Sequence, residues 1–166
     1  MKYSPSGDFL VAIFSGEHSN SNGINTTSRV ILFDSKTYSP IATFVGHHEL
    51  VYEINWDNKN VEFVTSSADF TAKVWSINRL NAGYSDDSQE NPTGSNDGSI
   101  IPLAAEITLQ HPCFVYTSSF HPRNGTASAR DWPQIIITGA YDRTVRLWNR
   151  YIEQLNAAIG IDRLHD

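Results

Sequence analysis

The chain writes one phrase twice, and that duplication limits its fold more than any other feature. GHHELVYEINW (46–56) leads to FVTSSADFTAKVW (63–75), and QHPCFVYTSSF (110–120) leads to IITGAYDRTVRLW (136–148). Overlaying the copies puts His47 on His111, Val51-Tyr52 on Val115-Tyr116, Trp56 on Phe120, Thr65 on Thr138, Asp69 on Asp142 and Trp75 on Trp148. Agreement at so many positions means one structural unit stacked on a copy of itself. Between turn signals run short segments rich in Val, Ile, Thr and aromatics, such as DFLVAIF, RVILF, VYEINW, TAKVW, VYTSSF and TVRLW. No long stretch has helical periodicity, so the fold class is all-β.

With a Gly-His opening, a late Trp and 42 residues from Phe33 to Trp75, the unit resembles a WD40 repeat. The resemblance implies four-stranded antiparallel sheets arranged as the blades of a propeller. About two and a half to three blades are expected within residues 1–150, near 1–46, 47–110 and 111–150, followed by a tail at 151–166. It also implies a structural hydrogen-bond chain in each full blade. Carried over by position, the chains are His47–Thr65–Asp69–Trp75 and His111–Thr138–Asp142–Trp148. Each member supplies a donor or acceptor that its neighbour lacks, so the buried polar atoms are satisfied together. The first repeat is degenerate, with Ala12 at the Thr position, Phe33 at the Trp position and no turn Asp. Apolar packing alone is expected to hold it. A closed ring needs roughly 4–8 blades, so the segment is expected to belong to a larger propeller. The missing blades would come from the full-length chain or from another copy.

Three insertions break the rhythm: polar stretches at 15–28, 79–99 and 123–131, each expected as a loop. The tail fits either the next strand or a short amphipathic helix, through Ile152, Leu155, Ala158 and Ile159.

The order His, Thr, Asp invites a catalytic reading, with Thr as nucleophile and His as base. The indole partner and the duplication favour a scaffold. Adjacent His47 and His48 point to opposite faces of an extended chain, which argues against shared metal ligation. No enzyme activity, metal or cofactor is expected. Net charge is −6 with no basic stripe, which disfavours binding to a phosphate backbone. One cysteine, Cys113, excludes an internal disulfide framework and fits a reducing compartment. No membrane-inserting run is visible, and cytoplasmic sequons at Asn25 and Asn124 would stay unmodified.

The expected partners are therefore other proteins, docking on a propeller face. The overlay nominates Leu50, Tyr52 and Ala68 from one blade with Phe114, Tyr116 and Tyr141 from the next, positions that line the peptide-binding face in this family. Aromatics there supply large contact area with a polar tip. Packing between blades is the competing explanation, most of all for Phe114. The phrases LVYEINW, VTSSADFTAKVW and LQHPCFVYTSSFHP also resemble the WD40 region of the jouberin family. That similarity implies a ciliary scaffold at the basal body and transition zone. A generic WD40 adaptor, serving a ubiquitin ligase or a chromatin or RNA-processing complex, shares the same fold and face.

Overall fold

The computed structural model describes residues 1–20, 23–81, 100–122 and 135–150. Three sheets stand side by side in chain order. The first joins β1 (Lys2–Tyr3), β2 (Phe9–Asn20), β3 (Gly23–Asp34) and β4 (Pro40–Val45) as an antiparallel meander. The second joins β5 (Val51–Trp56), β6 (Glu62–Ser67), β7 (Thr71–Ser76) and β9 (Ile107–Gln110). The third holds β10 (Val115–Phe120), β11 (Ile135–Ala140) and β12 (Val145–Asn149). This is the partial WD40 propeller architecture.

Alternation along the strands explains why the sheets stack. Neighbouring residues point to opposite faces, and in β6 and β7 both faces are buried. Phe63 and Trp75 turn toward the first blade, joining Val11, Val30, Leu32, Ala42 and Phe44 in one core. Val64, Ala72 and Val74 turn the other way, into a second core with Val115, Phe120, Ile136 and Trp148. Phe44 meets Phe63 edge to face at 4.7 Å and Trp75 at 5.5 Å, an arrangement that adds to plain area burial. Polar bonds also cross between blades. Asn55 Nδ2 donates to the Ser118 carbonyl (2.7 Å), Ser66 Oγ to the Tyr116 carbonyl (3.0 Å), and the Arg150 guanidinium forks onto the buried Glu62 carboxylate.

Two features depart from expectation. Residues 15–20 and 23–28 are not loop: β2 and β3 continue through them as paired strands, from Phe14↔Arg29 to Asn20↔Gly23. The second feature is β8 (Ile101–Ala104), which returns from the second blade and pairs parallel with β4, Ala42↔Ile101 to Val45↔Ala104. It adds a fifth strand to the first sheet and buries Leu103 in that core. A short helical turn, α1 (Asn78–Asn81), opens the 79–99 insertion. Residues 82–99, the 123–131 insertion and the 151–166 tail lie outside the described residues.

Candidate functional site: polar latches and an aromatic face

In the second blade, four residues far apart in sequence meet end to end. Trp75 Nε1 donates to Thr65 Oγ1 (2.8 Å), and Thr65 Oγ1 lies 2.7 Å from His47 Nε2. His47 Nδ1 lies 2.7 Å from Asp69 Oδ2. Thr65 has one proton, and the carbonyl of Lys73 is farther away at 3.4 Å, so the hydroxyl donates to the imidazole. His47 is then neutral, protonated on Nδ1 toward the carboxylate. Burial lowers the pKa of His47 against the pull of Asp69, which keeps the ring uncharged. For Asp69, burial works upward, but hydrogen bonds from His47 and Thr71 outweigh it and hold the carboxyl well below the usual range. Asp69 also takes the His48 and Thr71 backbone N–H groups (3.2 and 3.0 Å), so it fixes the β6–β7 turn.

The third blade departs from the expected pattern. Trp148 Nε1 donates to Thr138 Oγ1, and Thr138 Oγ1 meets His111 Nε2, each at 2.8 Å. His111 Nδ1, however, donates to the Leu109 carbonyl (3.0 Å) and not to Asp142. Asp142 is drawn outward by Arg146, whose Nη2 lies 2.6 Å from Oδ2, and by Thr144 Oγ1 (2.6 Å). The cause is visible in the neighbouring blade. There Lys73, at the position of Arg146, is held by Thr108 of the fourth strand (3.1 Å). A forked, charge-assisted bond from a guanidinium outcompetes a neutral imidazole for the carboxylate. Arg146 and Thr144 hold Asp142 well below the ordinary carboxylate range. Burial lowers His111 to about 4.

Among the described residues, the first blade has no such chain. Ala12 and Ile31 pair where Thr65 and Lys73 pair in the second blade, and Phe33 packs on Phe14 (6.1 Å between centroids). A serine supplies a buried polar link: Ser28 Oγ accepts the Val51 N–H and meets Ser15 Oγ, both at 3.0 Å.

The nominated face residues come together. Ring centroids run Tyr52–Tyr116 (5.2 Å), Tyr116–Tyr141 (6.3 Å), Tyr141–Phe114 (6.1 Å) and Phe114–Phe70 (5.3 Å). All five rings are exposed, from 39% for Phe114 to 64% for Tyr141, so Phe114 lies on the surface and not in the core. Leu50 and Ala68 are half-buried at the edge, tied by the Ala68 N–H to the Leu50 carbonyl (2.8 Å). Two β-bulges create the ribbon. Pairing of β5 with β6 skips Tyr52, and pairing of β10 with β11 skips Tyr116. Such an extra residue re-aims its side chain. Where the second bulge brings Thr117 onto Gly139, a Cβ would sit 2.8 Å from Thr117 Cγ2, so any other residue would have to displace that methyl.

Phe70 is the residue that overlay did not nominate. It occupies the left-handed region with φ of 67°, in the turn closed by Asp69, at the place Arg143 (φ 63°) takes in the third blade. A bulky side chain there is uncommon. The position was legible as the residue after the turn Asp, but its ring direction was not.

The sequence model described as "WD domain, G-beta repeat" matches residues 38–76 and 106–149. The chain belongs to the WD40 repeat family. Among curated proteins, it is 28% identical to "Jouberin" of Mus musculus over 119 residues, 72% of this chain but 9% of that protein. It is 26% identical to "F-box-like/WD repeat-containing protein TBL1X" of Homo sapiens over 82% of this chain and 21% of that one. It is 23% identical to "Ribosome biogenesis protein WDR12 homolog" of Ixodes scapularis, over 81% of this chain and 35% of the relative. The chain thus spans a minor part of each relative. Among solved structures, the β-propeller domain of Cps50 (Swd1) from Myceliophteria thermophila is similar in fold, with a TM-score of 0.54 at 14% identity. The match covers 88% of this chain and 33% of that one. Propellers of this family are generally non-catalytic. No helix among the described residues is long and apolar enough to cross a membrane. Among the described residues, no group of three His, Cys, Asp or Glu side chains could hold a metal ion.

Proposed function

We propose that this WD40 segment is a jouberin-like scaffold whose aromatic ribbon docks a partner protein, in cilium assembly at the basal body and transition zone. The observation that carries the docking reading is the contiguous run of five exposed rings across two blades, mounted on bulges and turns and not on regular strand positions. Aromatic side chains give much contact area at low entropic cost and anchor interfaces. Structural latches occupy the polar residues that might otherwise suggest catalysis. Similarity to jouberin favours the ciliary role. The second reading, a WD40 adaptor of another complex, is favoured by the similarity to an F-box-like protein over a larger share of the chain.

The test introduces Tyr141→Ala into the full-length protein in ciliated cells and follows proximity labelling of basal-body proteins beside thermal melting. Unchanged melting with lost labelling supports the proposal. Labelling confined to ubiquitin-ligase or nuclear components would replace the ciliary reading with the adaptor one. Loss of folding would show that Tyr141 is a packing residue.

A further inference from the structure

We propose that the Tyr52–Tyr116 end of the ribbon, together with Glu53, forms a subsite for the guanidinium of an arginine in the docked protein segment. The inference rests on the docking reading above and names the chemistry of its occupant. Tyr52 and Tyr116 come from β5 and β10, with rings 5.2 Å apart and tilted by 50°, and both are more than two-fifths exposed. Glu53 bridges the same two strands, its Oε2 accepting the Ser118 N–H at 3.3 Å. A planar cation is attracted to the faces of such rings, and the carboxylate of the residue that follows Tyr52 can add a charge-assisted bond.

Charge points the same way. Four cations have partners of their own: Lys2 with Asn55 Oδ1, Lys73 with Thr108, Arg146 with Asp142 and Arg150 with Glu62. Among the described residues, no ion pair engages Glu53, and Glu49 stands exposed two residues before β5. With a net charge of −6, the chain attracts a basic segment over distance as well as at contact. Arginine suits this place better than lysine, because its flat fork can lie on a ring and still bond to a carboxylate.

The experiment titrates the full chain, carbon-13-labelled in its tyrosine rings, with Ac-Ala-Arg-Ala-amide and with the citrulline analogue, which is neutral and nearly isosteric. Saturable shifts of the Tyr52 and Tyr116 rings are expected with the arginine peptide. Glu53→Gln should weaken binding at least fivefold, and Tyr38→Asn, in the exposed β3–β4 turn of the first blade, should not change it. Equal response to citrulline, indifference to Glu53→Gln, or no saturable shift would overturn the subsite. If the subsite fails while Tyr141→Ala still abolishes partner labelling, docking stands and only its arginine chemistry is lost.

Discussion

At the residue scale, the two latches differ in one link, and that difference has consequences. Asp69 satisfies an imidazole and two backbone N–H groups at a half-buried site, so Asp69→Ala should cost about 1–3 kcal/mol in urea unfolding, the usual penalty for stranding such donors. Asp142→Ala should shift the midpoint less, because its partners Arg146 and Thr144 are accessible to water and His111 has its own acceptor. Equal losses would mean that Asp142 belongs to the latch after all. Acid sensitivity should come from the histidines. His111 has a folded pKa of about 4 against an ordinary value of 6.5, so below 6.5 the unfolded chain binds a proton that the native blade refuses. Stability should therefore be full above about pH 6.5 and fall as pH drops toward 4. Denaturant midpoints at pH 7.5 and pH 5 check this, and His111→Gln should flatten the difference.

Phe70 gives the sharpest single-residue expectation. Held at φ of 67°, it stores conformational strain of about 1–3 kcal/mol that asparagine, which tolerates this region, would relieve. Phe70→Asn should raise the unfolding free energy by about 1 kcal/mol while weakening the docked partner. A variant that both destabilises and keeps full partner binding would remove Phe70 from the docking face.

At the scale of elements, what was legible depended on whether the repeat expressed it. Strands of the second and third blades, the turn Asp positions and the aromatic nominees followed from the overlay, because each copy reports on the other. The almost wholly polar stretch 15–28 carries no apolar alternation, so the extension of β2 and β3 could not be distinguished from a loop. The link from His111 to Asp142 was misread because Arg146 looks like an ordinary exposed strand residue in the sequence, whereas its guanidinium folds back onto Asp142. β8 was invisible for another reason: its four residues, IPLA, are too short and Pro-containing to announce a strand. Its role is testable. Leu103 is 8% exposed in the first core, so Leu103→Ala should cost about 2–4 kcal/mol. It should also speed hydrogen exchange in Ala42–Phe44, whose edge β8 covers. Exchange that rises equally in β10–β12 would mean that the blades do not open separately.

At the scale of the whole molecule, the blades are coupled by shared cores and by bonds between inner strands. That coupling carries Tyr52 and Tyr116, from separate repeats, onto one surface. If the sheets stood apart, the ribbon, its acidic end and the docking proposal would all disappear together. The most direct measurement is therefore a through-space nuclear Overhauser spectrum of the full chain with tyrosine and phenylalanine rings selectively labelled. Stacked repeats place the Tyr52 and Tyr116 centroids 5.2 Å apart and those of Phe70 and Phe114 at 5.3 Å, so cross-peaks should join both pairs. A folded protein with cross-peaks within each repeat but none between the repeats would contradict the account.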